Sequence, residues 1–163
     1  MKRTLLTACA AVILGAAAAA APAEAAQKLK HFQDWAVSHY HQHGKVICYA
    51  FTQALAMHHG GGGCDVAVLV VTHAPPRHDR VVVSPCDQYG AGQTALTMSV
   101  GDSHLGFEPR GKYAYADLPP AAVKAFRIGM EAKIPGPTGH TAETFSLRGF
   151  TAAYDALGRE CVG

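Results

Sequence analysis

The chain has 163 residues, with 14 basic and 12 acidic side chains, ten histidines and a formal net charge of +2. This near balance excludes the basic footprint of a nucleic-acid-binding protein and the polybasic patch of a protein held on anionic membranes. The length is that of one small domain with enough chain to bury a core.

The first 25 residues have the three parts of a secretory signal peptide. A positive head at Lys2 and Arg3 precedes an almost purely apolar run over residues 5–20, and Ala23-Glu24-Ala25 has the small-x-small pattern that signal peptidase cleaves. The apolar run is shorter than the ~20 residues that a membrane span needs, and no later run is longer. We therefore predict cleavage after Ala25, no transmembrane segment thereafter, and a single domain over residues 26–163.

Short strands separated by turn residues dominate the mature sequence. Residues 46–53 alternate, and the unbroken apolar run 66–71 suits a strand that is buried on both faces. Residues 75–79 turn the chain and residues 81–83 return it as a hairpin. Residues 94–100 alternate again, with the side chains of Leu96, Met98 and Val100 pointing inward.

Two short helices complete the pattern. Tyr113 and Tyr115 share one face of a strand, after which Pro119 and Pro120 begin a helix that Gly129 keeps short. The C-terminal segment 150–161 has one apolar stripe and forms the second helix. These elements predict a mostly β domain, a β-sandwich or barrel-like fold of about eight strands with two short helices, the second at the C-terminus.

Four cysteines remain after cleavage, and an exported chain favours two disulfides among the three possible pairings. Cys64 and Cys86 lie almost equally far from the hairpin loop, so they face each other at its open end. We therefore favour the pair Cys64–Cys86, which leaves Cys48–Cys161.

The histidines suggest a metal site. His39, His41 and His43 alternate, so an extended segment places them on one side, and His58 and His59 follow before four glycines. Neutral imidazoles bind Zn²⁺ or Cu²⁺. The alternative is a solvated strand end, since no spacing such as His-Glu-x-x-His is present.

No complete catalytic set is visible in the sequence. Gly101-Asp102-Ser103-His104 resembles the start of a Gly-Asp-Ser hydrolase motif, but it lies between strand-like segments and lacks a late Asp-x-x-His. A hairpin turn at Gly101-Asp102 explains it. Trp35, the single tryptophan, is expected in the core. We therefore expect no enzyme activity and no required cofactor.

Several segments resemble the invasion-associated locus B family of alphaproteobacteria. Phe32-Gln33-Asp34-Trp35-Ala36-Val37 is similar to the opening of the mature family members, and Cys48 with Gln53 to their second cysteine segment. Residues 143–153, with Cys161 after them, resemble the closing strand, Gly-Phe turn, Ala-rich helix and terminal cysteine. Residues 124–139 resemble the family's short helix, strand and loop.

The resemblance implies an exported envelope protein, periplasmic or associated with the outer membrane or cell surface, which in some pathogens takes part in host-cell entry. It implies no catalytic residues. This chain has His39 where family members commonly have a cysteine, and Cys64 and Cys86 look like additions. The expected function is non-enzymatic binding of an envelope or host protein, with a His-rich Cu²⁺ or Zn²⁺ module as the alternative; the oligomeric state stays open.

Overall fold

The computed structural model describes residues 29–56, 66–73, 79–89, 92–137 and 142–160, the last of them, Glu160, by its backbone alone. Within these ranges the chain forms ten strands and two helices. In chain order they are β1 Lys30–Phe32, β2 Trp35–Gln42, β3 Lys45–Gln53, β4 Val68–His73, β5 Arg80–Ser84, β6 Leu96–Val100, β7 Ser103–Arg110, β8 Tyr113–Asp117, α1 Pro120–Ile128, β9 Glu131–Pro135, β10 Ala142–Ser146 and α2 Phe150–Glu160.

All strand pairs are antiparallel and follow the order β1-β2-β3-β4-β5-β8-β7-β6-β9-β10 in one sheet. The sheet curls strongly. An isolated antiparallel bridge joins Ala54, just after β3, to Phe145 of β10. The Leu55 N–H also donates to the Thr144 carbonyl at 2.8 Å. This curl lets one face of the sheet enclose a core.

The mostly β class and the C-terminal position of the second helix are confirmed, but the expected count of about eight strands is too low. The two further strands are β1 and β7. β1 has only three residues, and β7 contains Gly106 and Pro109, which weaken the strand pattern of its sequence. In place of the expected sandwich or barrel, the described strands form one open sheet.

Aromatic side chains connect the sheet to α2. Trp35 is 1 % exposed and meets Phe150, the first residue of α2, edge to face with ring centroids 5.1 Å apart. Phe150 in turn packs against Phe126 of α1 at 5.2 Å. The prediction of Trp35 as a core residue is therefore confirmed, and the two helices share one aromatic cluster.

Helix α1 begins at Pro120, as the proline pair predicts, and ends at Ile128. Phe126 is buried, but Met130, four residues later and therefore expected on the same helix face, is 67 % exposed. The reason is that Gly129 is extended, so Met130 no longer follows the helical repeat. Within the described ranges, no helix is long and apolar enough to cross a membrane.

Candidate functional site

Small side chains fill the inner face of the central strands. Ala50, Val71, Val81 and Ala116 stand opposite one another across β3, β4, β5 and β8, and all four are buried. Because neighbouring residues of a strand point to opposite faces, the row beside this one must point outward.

That neighbouring row carries an aromatic side chain at each end, with two valines between them. Phe51, Val70, Val82 and Tyr115 stand opposite one another across the same four strands, and each is only partly buried. The expected burial of residues 66–71 on both faces is therefore wrong, because Val68 and Val70 on the outer face are partly exposed. We call the surface around this row the aromatic face; its members are Tyr40, Tyr49, Phe51, Val70, Val82, Tyr113 and Tyr115.

The rings of the aromatic face support one another. Tyr49 lies 5.9 Å from Tyr40 and 5.9 Å from Phe51, measured between ring centroids. On β8, Tyr113 and Tyr115 meet edge to face at 6.1 Å, as their shared face predicts. Such pairs limit ring motion, so a partner that covers them loses little further side-chain entropy.

Charged pairs and a groove border the aromatic face. Arg80 and Asp117 approach to 3.6 Å, and Arg110 donates to Glu108 at 2.7 Å; all four side chains are largely exposed. Between them lies a groove of about 570 Å³, which is within the usual size range of ligand sites. Its lining comprises Arg80, Leu105, Gly106, Glu108, Arg110, Tyr115, Ala116, Asp117, Pro119 and Pro120.

The histidines expected to bind metal are partly brought together. The rings of His39 and His41 lie 6.0 Å apart on β2, whereas His43 occupies the β2–β3 turn with φ 50°. Across the described ranges, no group of three or more His, Cys, Asp or Glu side chains is arranged to hold a metal ion. His58 and His59 lie outside these ranges, so the five-histidine site stays a prediction.

The cysteine pairing also stays a prediction. Cys48, on β3, is buried, and both Cys48 and Cys86 are disulfide-bonded. The partners expected for them, Cys161 and Cys64, lie outside the described residues.

The Gly-Asp-Ser segment forms a hairpin turn, as expected. Gly101 has φ 54° and, with Asp102, links Val100 of β6 to Ser103 of β7. Ser103 therefore begins a strand instead of standing between a strand and a helix. His104 is an exposed neighbour of Ser99, 3.3 Å from its hydroxyl.

A polar network beneath α2 was not predicted from the sequence. The Asp79 carboxylate accepts from His73 at 2.7 Å and from the Tyr154 hydroxyl. Burial, and then the hydrogen bond to Asp79, raise the pKa of Tyr154 well above its ordinary value. Arg127 lies over the Tyr154 ring and donates to Asp155 at 2.5 Å, which lowers the pKa of Asp155. His73 and Asp79 are six residues apart, but Tyr154 is 75 residues from Asp79, so local patterns cannot show that α2 joins the network.

Solved structures show what this architecture is similar to. The crystal structure of invasion-associated protein B from Bartonella henselae matches 81 % of this chain and 95 % of its own, with a TM-score of 0.64 at 16 % sequence identity. The chain has the invasion-associated protein B fold. No family model matches the sequence, and neither does any curated protein. The resemblance read from the sequence is thus confirmed at the level of the fold.

In this chain, the opening segment and the C-terminal segment of the resemblance meet and hold the invasion-associated protein B fold together. The Ser146 hydroxyl donates to the Asp34 carboxylate at 2.6 Å, and the Trp35 indole N–H donates to the Ser146 carbonyl at 3.0 Å. Thr52 donates to the Asp34 carbonyl at 2.7 Å. We call this contact the β1–β2/α2 junction. Asp34, Trp35 and Ser146 make hydrogen bonds within the fold, so these parts of the resemblance are explained by packing.

Gly149 completes the junction of this invasion-associated protein B fold. It has φ +91°, and a Cβ added to it would lie 1.9 Å from the Phe32 carbonyl oxygen. Only glycine permits this backbone conformation together with so close an approach. The Arg-Gly-Phe sequence at 148–150 is therefore explained by the packing of the turn before α2 on the turn between β1 and β2.

Proposed function

We propose that the chain is an exported, non-enzymatic envelope protein of invasion-associated locus B type, which binds a protein partner through the aromatic face. The observation that carries the proposal is the outer row Phe51, Val70, Val82 and Tyr115, with tyrosines on both sides. On β3 and β8, alanines lie inward while aromatic rings lie outward, which is the reverse of what core packing alone favours.

The chemistry of this face suits a protein partner. Protein interfaces are enriched in tyrosine, phenylalanine and arginine, and the charged pairs around the rings resemble a polar rim. Lys112 lies 5.2 Å from the centre of the Tyr113 ring, so the rim and the rings are in contact. An envelope or host protein with a complementary apolar patch is the expected partner class.

The leader and the fold support the proposed place of action. A cleavable signal after Ala25 and two disulfides fit an oxidising compartment outside the cytoplasm. The likeness to invasion-associated protein B supports the periplasm or the cell surface as the location. A role in contact with host cells is the further proposal that this likeness motivates.

Site-specific photo-crosslinking tests the proposed face. A photoreactive residue at Tyr40 or Tyr115 of the full chain, expressed in cells that export it, should give the same discrete adduct with one partner. The matched control is the same residue at Ile128, which is 76 % exposed on another surface. Adducts of equal yield at all three positions, or none at Tyr40 and Tyr115, would contradict the proposal.

A second candidate function rests on the two imidazoles of His39 and His41, which lie 6.0 Å apart on one strand. Together with His43, His58 or His59 they would form a Cu²⁺ or Zn²⁺ module. Calorimetric titration of the purified chain with each metal should show one site that the His39→Ala/His41→Ala variant loses. Equal weak binding by both proteins would dismiss this candidate.

A further inference from the structure

The groove beside Tyr115 is a wedge between two strands that separate. β7 and β8 are paired only from Glu108 to Arg110 on one strand and from Tyr113 to Tyr115 on the other. The earlier part of β7 turns away and pairs with β6 alone. The groove of about 570 Å³ opens where β7 and β8 diverge.

The two hairpin turns determine which backbone groups face the wedge. A two-residue turn is flanked by a hydrogen-bonded pair, and such pairs alternate along an antiparallel ladder. Because Val100 and Ser103 flank the turn, Ser103 and every second residue after it, Leu105 and Phe107, form backbone hydrogen bonds with β6. The residues between them, His104 and Gly106, direct their N–H and C=O groups toward β8.

The turn at the other end of β7 gives the same alternation. Because Arg110 and Tyr113 flank this turn, Arg110 and Glu108 form backbone hydrogen bonds with β8. Gly106, two residues before Glu108, directs its backbone groups to the same side. Just after β8, the Leu118 N–H donates to the Asp79 carbonyl beside β5 at 2.7 Å. Because neighbouring residues alternate, Asp117 must direct its backbone groups to the other side, toward β7. Among the described strands, no pairing extends to Gly106 or Asp117 on this side.

Gly106 makes this open edge accessible. It lines the groove, and a Cβ built on it has no heavy atom within 4 Å. The bare backbone can therefore be approached from the outer face. A strand laid along β7 at this point would find unused donors and acceptors at the usual strand spacing.

We propose that this groove binds an extended peptide segment of the partner, added as a short strand along β7. The proposal rests on the proposed function and names the ligand of the same face. Tyr115 contacts the peptide beside the open edge, and the pairs Arg80–Asp117 and Arg110–Glu108 lie at opposite ends of β8. Each pair offers both signs of charge, so a peptide with charged residues flanking an apolar centre is complementary.

A random heptapeptide library displayed on phage, selected on the full chain, provides the probe. The enriched peptide should bind Gly106→Val about tenfold more weakly or worse, because the new side chain occupies the groove. Thr97→Val is the matched control. Thr97 lies on β6 opposite Gly106 of β7, is exposed and lies outside the groove, so the affinity for the peptide should stay unchanged. The thermal midpoint of Gly106→Val should not fall, because the added Cβ meets open space.

Amide hydrogen exchange shows whether the peptide adds as a strand. Bound peptide should slow exchange at the Gly106 and Asp117 N–H groups, which contact through side chains alone would not do. A library without binders, equal affinity for Gly106→Val, or unchanged exchange at Gly106 would overturn the proposal. The crosslinking test at Tyr40 and Tyr115 would still report on the aromatic face, so the two failures are distinguishable.

Discussion

Two tyrosines with raised pKa values play different roles. The Tyr154 hydroxyl is bonded to Asp79, whose side chain is only 9 % exposed. Tyr89, on the segment after β5, is 6 % exposed, and its hydroxyl has no hydrogen-bond partner among the described residues. Burial, with a smaller contribution from Glu143, raises the pKa of Tyr89 to about 12. A raised pKa alone therefore does not identify a stabilising hydroxyl.

The two tyrosines should respond differently to removal of the hydroxyl. Tyr154→Phe deprives a buried carboxylate of a donor and should lower the free energy of unfolding by about 1–3 kcal/mol. Tyr89→Phe removes a buried hydroxyl without a partner and should leave stability unchanged or raise it. Urea denaturation of the two variants and wild type measures both effects. Equal losses for the two variants would contradict this distinction.

Both tyrosines make stability fall at high pH. In the unfolded chain tyrosine loses its proton near pH ~10, whereas the folded chain holds these protons to higher pH. The folded state therefore binds more protons above pH ~10, and its stability decreases as pH rises toward ~12. Urea midpoints from about pH 9 to 11.5 should show this decline. The Tyr89→Phe/Tyr154→Phe variant should decline less, and an identical slope would refute the assignment.

At the scale of elements, α2 is positioned by the turn that precedes it. Gly149 N-terminal to the helix touches the Phe32 carbonyl, and Phe150 packs on Trp35. The helix is amphipathic in sequence, but its docking position depends on this one close approach. The resemblance segments are thus distant in sequence and adjacent in space because each forms one side of the β1–β2/α2 junction.

Gly149→Ala should destabilise the protein strongly. The new methyl group would overlap the Phe32 carbonyl, and the backbone conformation at φ +91° is unfavourable for alanine. We expect a loss of at least about 2 kcal/mol in the free energy of unfolding. Gly158→Ala, inside α2 with open space around its Cβ, is the control and should gain up to about 1 kcal/mol. Thermal denaturation of both variants compares them, and a neutral Gly149→Ala would refute the role of the junction.

At the scale of the whole molecule, the two predicted disulfides would limit the conformations of the unfolded chain. The predicted pair Cys48–Cys161 closes most of the mature chain and should contribute about 4–5 kcal/mol; Cys64–Cys86 closes a short loop and should contribute about 3 kcal/mol. Non-reducing peptide mapping identifies the pairs, and denaturation of the two double Cys→Ala variants compares their contributions. Recovery of a Cys48–Cys86 or Cys48–Cys64 peptide would contradict the predicted pairing.

The sequence alone was enough to predict much of the local structure. Alternation located β3 and β6, the proline pair located the start of α1, and the Gly101-Asp102 turn was recognised as a hairpin. These features depend on residues that are close together in the sequence, so their spacing can be read from it directly. β7 was missed because Gly106 and Pro109 interrupt the strand pattern.

At β3, only the tertiary structure decided which side of the strand faces the core. Residues 47, 49 and 51 alternate with residues 48, 50 and 52, but alternation cannot tell that the smaller set is buried. That choice depends on what packs against the sheet, here the aromatic cluster of the two helices. The strand order, the wedge between β7 and β8 and the network around Asp79 likewise join residues far apart in the chain. Local sequence patterns therefore determined most of the elements of this protein, and long-range packing determined the surface on which its proposed function depends.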